Sequence, residues 1–223
     1  MMNDNLLKHR FLQNMSRITE LVKLIHTDFD PVRLPGLFQE SQGVRADILR
    51  TIVVFLHATF EDVLRSFIPK PNKRYSFYSK IDIEKALKRG KIAPEPFGFL
   101  YPALSQMAKR RKRIVHDADL LNRTDLVPTP WTFADDWQLT QWLMAVPAFY
   151  YQLLISLRIA KKTEIVKFDE LRKAMMNHVE FANHLITFSN AQPAIFSEVL
   201  EKSITILDKI TLLLGSKKII QPS

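Results

Sequence analysis

Lys109-Arg110-Arg111-Lys112-Arg113-Ile114-Val115-His116 sets five consecutive cations before two β-branched apolar residues and a histidine. Arg111 and His116, four residues between them, are a minimal set for cutting RNA without a metal. RNA carries its own nucleophile, the 2′-hydroxyl. Cleavage then needs a base near that hydroxyl, a proton donor for the leaving 5′-oxygen and positive charge on the phosphorane. An imidazole gains and loses a proton near neutral pH. A guanidinium stays charged and offers a planar fork of donors to phosphate oxygens. The same run also reads as a solvated basic helix end, its histidine favoured by the negative terminus. In the first reading Lys109, Arg110, Lys112 and Arg113 attract phosphate rather than react.

Helical geometry limits how the pair can work. Residues five apart on a continuous helix point about 140° away from each other. Either the helix ends before His116, or the site draws on two protomers.

The charge of the chain is placed to suit an anionic partner. The formal net charge is +9, yet the segment from Pro69 to His116 alone holds 13 Lys/Arg against three acids (Asp82, Glu84, Glu95), a net of +10. The remainder carries 19 basic and 20 acidic groups, a net of −1. Such concentration points to nucleic acid first, and to an anionic membrane or an acidic protein next. Lys73 and Arg74 add to the RNA-attracting set, and Tyr75, Phe77 and Tyr78 beside them are candidates for base stacking.

Other chemistries find little support. Zero cysteine excludes disulfides, thiolate metal sites and a cysteine nucleophile. His178 and His184 lie six apart, the wrong spacing for a helical metal pair. No glycine-rich phosphate loop or Ser-His-Asp order stands out, and neither metal nor cofactor is expected. No apolar run approaches the roughly 20 residues that span a bilayer, and no signal peptide is recognised at the start. Cytoplasmic residence without membrane contact is the expectation.

The elements that would position these residues are helices. Only five glycines and abundant Leu, Ile, Lys and Glu favour an all-α fold. Phe11, Met15, Ile18, Val22, Ile25 and Phe29 recur at helical spacing, predicting a helix over 3–29. A second is predicted to begin after Gly43, with Ile48, Ile52, Leu56, Phe60, Val63 and Phe67 inward and Pro69 at its end. A short helix over 79–89 is capped by Gly90. Pro94 and Pro96 break the chain before a helix from about Phe99 to the basic run. Residues 117–132 read as a long loop. A further helix over 135–161 turns Leu139, Leu143, Val146, Tyr150, Leu153 and Leu157 to one side. Two more lie within 167–215. With no strand-period segment, the expectation is one domain over 1–223, a bundle of about five long helices with a short extra one.

At this point the chain resembles the HEPN superfamily, in the branch related to the RiboL-PSP group. Arg110-Arg111-Lys112-Arg113-Ile114-Val115-His116-Asp117-Ala118-Asp119 is similar to that branch's Arg-Arg-polar-x-Ile-Val-His-x-Ala-Asp form. Leu56-His57-Ala58-Thr59-Phe60-Glu61-Asp62-Val63-Leu64-Arg65 resembles its earlier helix, and Trp142 to Phe149 its helix after the motif. The likeness covers about residues 45 to 160. It implies an all-α bundle and metal-independent endoribonuclease activity in toxin–antitoxin or phage-defence systems. Arg111 and His116 would be catalytic, with Glu61, Arg65 and Asp119 lining the site. It also implies a homodimer whose two Arg–His sets share one cleft, and an antitoxin as a further partner. The family usually has Asn, Asp or His after the arginine, where this chain has Lys112. That departure keeps a second reading open: a non-catalytic module that binds RNA or a nucleotidyltransferase-type antitoxin. Glu61 and Arg65 also fit a plain i, i+4 surface pair.

Overall fold

The computed structural model describes residues 4–28, 38–67, 77, 79–116, 120–122, 127–128, 133–158, 169, 173, 176–177 and 200–209. The elements are α1 (Asp4–Asp28), α2 (Phe38–Phe67), α3 (Lys80–Arg89), a 3-10 turn (Glu95–Leu100), α4 (Tyr101–His116), β1 (Leu120–Asn122), β2 (Val127–Pro128) and α5 (Phe133–Ser156). The fold is all-α. The β1–β2 antiparallel ribbon, where the sequence predicts a featureless loop, is its only strand pair among the described residues.

α1 and α2 form where the apolar spacing places them. Phe11, Met15, Ile18, Val22 and Ile25 of α1 are buried, as are Ile52, Leu56, Phe60 and Val63 of α2. α2 begins at Phe38 rather than after Gly43. A helix-interior glycine costs only about 1 kcal/mol relative to alanine and does not stop a helix that packing favours.

α5 differs from a one-sided amphipathic helix. Every residue from Leu139 to Leu153 is buried, which is the pattern of a central helix apolar all round. Its aromatics tie the bundle together: Tyr150 stacks on Phe11 of α1 with ring centroids 4.0 Å apart, and Phe149 meets Phe60 of α2 at 5.0 Å and Phe97 of the 3-10 turn at 4.8 Å. The helix continues through Pro147 and ends at Ser156, short of the predicted Lys161. Arg158 then takes a left-handed conformation with φ 55°.

Local chemistry fixes the entry to α4. Ser79 caps α3 by accepting from the Asp82 N–H, as an N-cap serine does. Gly90 closes α3 at φ −73°, and Lys91, not the glycine, is left-handed at φ 59°. Gly90 matters instead for close approach, because a Cβ there would lie 3.1 Å from the carbonyl oxygen of Phe67 at the end of α2. Pro94 and Pro96 do not merely break the chain. Pro96 sits in the first turn of the 3-10 segment, where its missing N–H is harmless. The Tyr101 hydroxyl donates to the Pro94 carbonyl at 2.9 Å, locking that segment to the start of α4.

Of the C-terminal part, 200–209 is helical, with Leu200, Ser203 and Leu207 buried. Asp208 pairs with Lys23 of α1 at 3.0 Å, which ties this segment to the bundle.

Candidate functional site

α4 runs unbroken to His116, its last residue. Its inward stripe is Leu104, Met107 and Ala108. Arg111 falls four residues after Met107 and seven after Leu104, so it continues that stripe and is half-buried. His116 falls about 140° away from Arg111 and is exposed. Lys109, Lys112 and Arg113 are exposed as well.

Arg110 differs from the other cations of the run. It is 8% exposed, and its guanidinium lies 4.0 Å from Asp135 of α5. Each residue along a helix turns by about 100°, so adjacent cations cannot all face one way. Arg110 is the one turned toward α5, and its charge belongs to the packing of α4 against that helix. That position leaves Arg110 little exposed surface from which to meet RNA.

Arg111 lies close enough to His57, a buried polar residue on α2, for its charge to act on it. His57 is fully buried. Burial, then the charge of Arg111 and then that of Arg65, hold its pKa down at about 4, so this imidazole is neutral. Its Nδ1 lies 4.0 Å from Glu61 Oε1, and the same carboxylate oxygen is 3.9 Å from the Arg65 guanidinium. The sequence left Glu61 and Arg65 between a surface pair and site lining. They do make the i, i+4 pair, and they make it beside the histidine whose protonation Arg111 opposes. Thus α2 and α4, which pack on each other, bring His57, Glu61, Arg65 and Arg111 into one neighbourhood. The sequence reading assigns His57 no role of its own. Its place one turn after Val53 on the stripe of Leu56 and Phe60 was the available signal.

Phe77 does not offer a face to nucleotides. It is buried, with the Arg65 guanidinium 5.2 Å from its ring centre in a cation–π arrangement. Ile114 packs against the core, whereas Val115 is 47% exposed. Lys73, Arg74, Tyr75, Tyr78, Asp119, His178 and His184 lie outside the described residues. Among the described residues, no cluster of three metal-ligating side chains occurs and no helix is long and apolar enough to cross a membrane.

No family model, no curated protein and no solved structure matches this chain.

Proposed function

We propose that this chain is a metal-independent endoribonuclease of the HEPN type, a toxin or phage-defence effector that works in the cytoplasm as a homodimer. The observation that carries the reading is the unbroken course of α4 through Arg111 to an exposed His116. One chain presents its arginine and its histidine in directions about 140° apart. Two chains meeting at this helix end put two of each into a shared cleft. One His116 takes the 2′-hydroxyl proton as the oxygen attacks phosphorus, the other protonates the departing 5′-oxygen, and Arg111 neutralises the phosphorane.

Purified protein in the presence of a chelator should cut single-stranded RNA to cyclic-phosphate ends. His116→Ala, on an exposed position, should abolish cleavage and leave thermal unfolding unchanged. RNA surviving equally with both proteins contradicts the reading.

Lys112 favours a second reading, a HEPN module that binds RNA or a nucleotidyltransferase-type antitoxin without cutting. A steeply salt-dependent RNA affinity with no product would identify it.

A further inference from the structure

We infer that the outer face of α3 is a second RNA-backbone contact, which makes long single strands bind better than the cleft at the end of α4 alone would hold them. The inference rests on the proposed RNA-directed function.

α3 divides its charges by direction. Ile83, Ala86 and Leu87 are buried in the core, and opposite them lies a stripe of Ile81, Lys85 and Lys88. The acids of the helix are engaged locally: Asp82 is bonded to the Ser79 hydroxyl at 2.7 Å, and Glu84 lies 3.7 Å from Lys80. Lys85, Lys88 and, just past the helix, Lys91 are exposed and have no carboxylate partner among the described residues. Among the described residues, the outward face therefore presents lysines that no carboxylate pairs with. Residues three and four apart bring side chains within about 5–6 Å of each other, so Lys85 and Lys88 act as adjacent phosphate sites. Ile81 beside them is 59% exposed and offers an apolar seat for a base or sugar.

Position favours RNA over other anions. α3 packs on α4, the helix of Arg111 and His116, and the Lys80 ammonium lies over the Tyr101 ring at 5.8 Å from its centre. That contact is at the start of α4, about 22 Å along the helix from His116, so only a strand long enough to cover this distance reaches both. A membrane surface is a poor alternative, since a helix lying on lipid buries its apolar face in the bilayer, and that of α3 is already in the core.

The test uses the full chain and 2′-O-methyl RNA, which lacks the nucleophile, so binding is read apart from cleavage. Fluorescence anisotropy across a salt series would compare long (about 30-nucleotide) and short (about 6-nucleotide) labelled strands. The Lys85→Gln/Lys88→Gln variant should lose the preference for the long strand. Its salt slope on that strand should fall by about 1.4, roughly 0.7 for each phosphate no longer neutralised. Affinity for the short strand should stay unchanged. A charge-matched control, Arg17→Gln/Lys209→Gln, alters two exposed cations on α1 and on the segment 200–209 and should behave as wild type. If the α3 variant weakens binding while ordinary RNA is left uncut by wild type, the nuclease reading fails and the α3 contact stands. The inference is overturned if the α3 variant keeps the wild-type slope and length preference, if the control loses as much, or if wild type binds polyglutamate and not the long RNA.

Discussion

His57 and His116 sit on two helices that pack together, and they are opposites. His57 lies fully buried on α2, its imidazole held neutral by burial and by the nearby charges of Arg111 and Arg65. His116 ends α4 in open solvent. Arg111 connects the two regions: its backbone belongs to the helix of His116, and its guanidinium is felt by His57. The difference teaches that residue type alone does not locate a site. The inner histidine is buried near two arginines and a carboxylate, where a proton is costly. The outer one is exposed, where the proposed RNA and second copy would meet it. We assign chemistry to the outer histidine and, to the inner layer, the setting in which Arg111 is held.

The largest effect that would break this contrast falls on cleavage. Arg111→Ala should lower the single-turnover rate on the order of 100–1,000-fold, the loss typical of one transition-state donor. His57→Gln should leave far more activity. Equal losses would erase the distinction between the reacting and the supporting layer.

The second effect is on stability against pH. The folded chain keeps His57 neutral down to about pH 4, whereas an unfolded chain protonates a histidine below about 6.5. The unfolded state therefore binds more protons in that window. The contribution of His57 is complete above it and is lost as pH falls from about 6.5 toward 4. Urea unfolding at pH 7 and at pH 4 should show wild type losing on the order of 3 kcal/mol more than His57→Gln. Parallel losses in the two proteins would mean that the imidazole is not kept neutral.

The smallest effect belongs to the solvent face. Lys112→Gln/Arg113→Gln should change unfolding by no more than about 0.5 kcal/mol. It should lower the salt slope of RNA binding by about 0.7 for each phosphate that these cations neutralise in wild type. A stability change of several kcal/mol would place these cations in the packing, as Arg110 is.

Much of this arrangement is legible in the sequence. The stripes of α1 and α2 and the Ser79 start of α3 follow from spacing and cap chemistry, because each is decided within a few turns. α5 was harder. Its apolar residues fit a one-sided stripe equally well, and only the neighbours on every side show it to be central. The basic run misled for a different reason. Written in line, Lys109 to Arg113 read as one funnel, but helical rotation sends Arg110 against Asp135 and Arg111 near His57. The inward course of Arg111 could have been read from Leu104 and Met107. The burial of His57 beside it needs the packing of α2 on α4, which no local pattern states.

The central claim is that two copies of His116 act in one cleft. Its most direct test is to refold a fixed amount of wild-type chain with increasing amounts of the His116→Ala chain and follow RNA cleavage. With random pairing, an equal amount of the variant should reduce the wild-type activity to about half, and larger excesses should lower it further as active pairs are diluted. Wild-type activity unchanged at every excess would contradict the account, because each chain would then carry a complete site of its own.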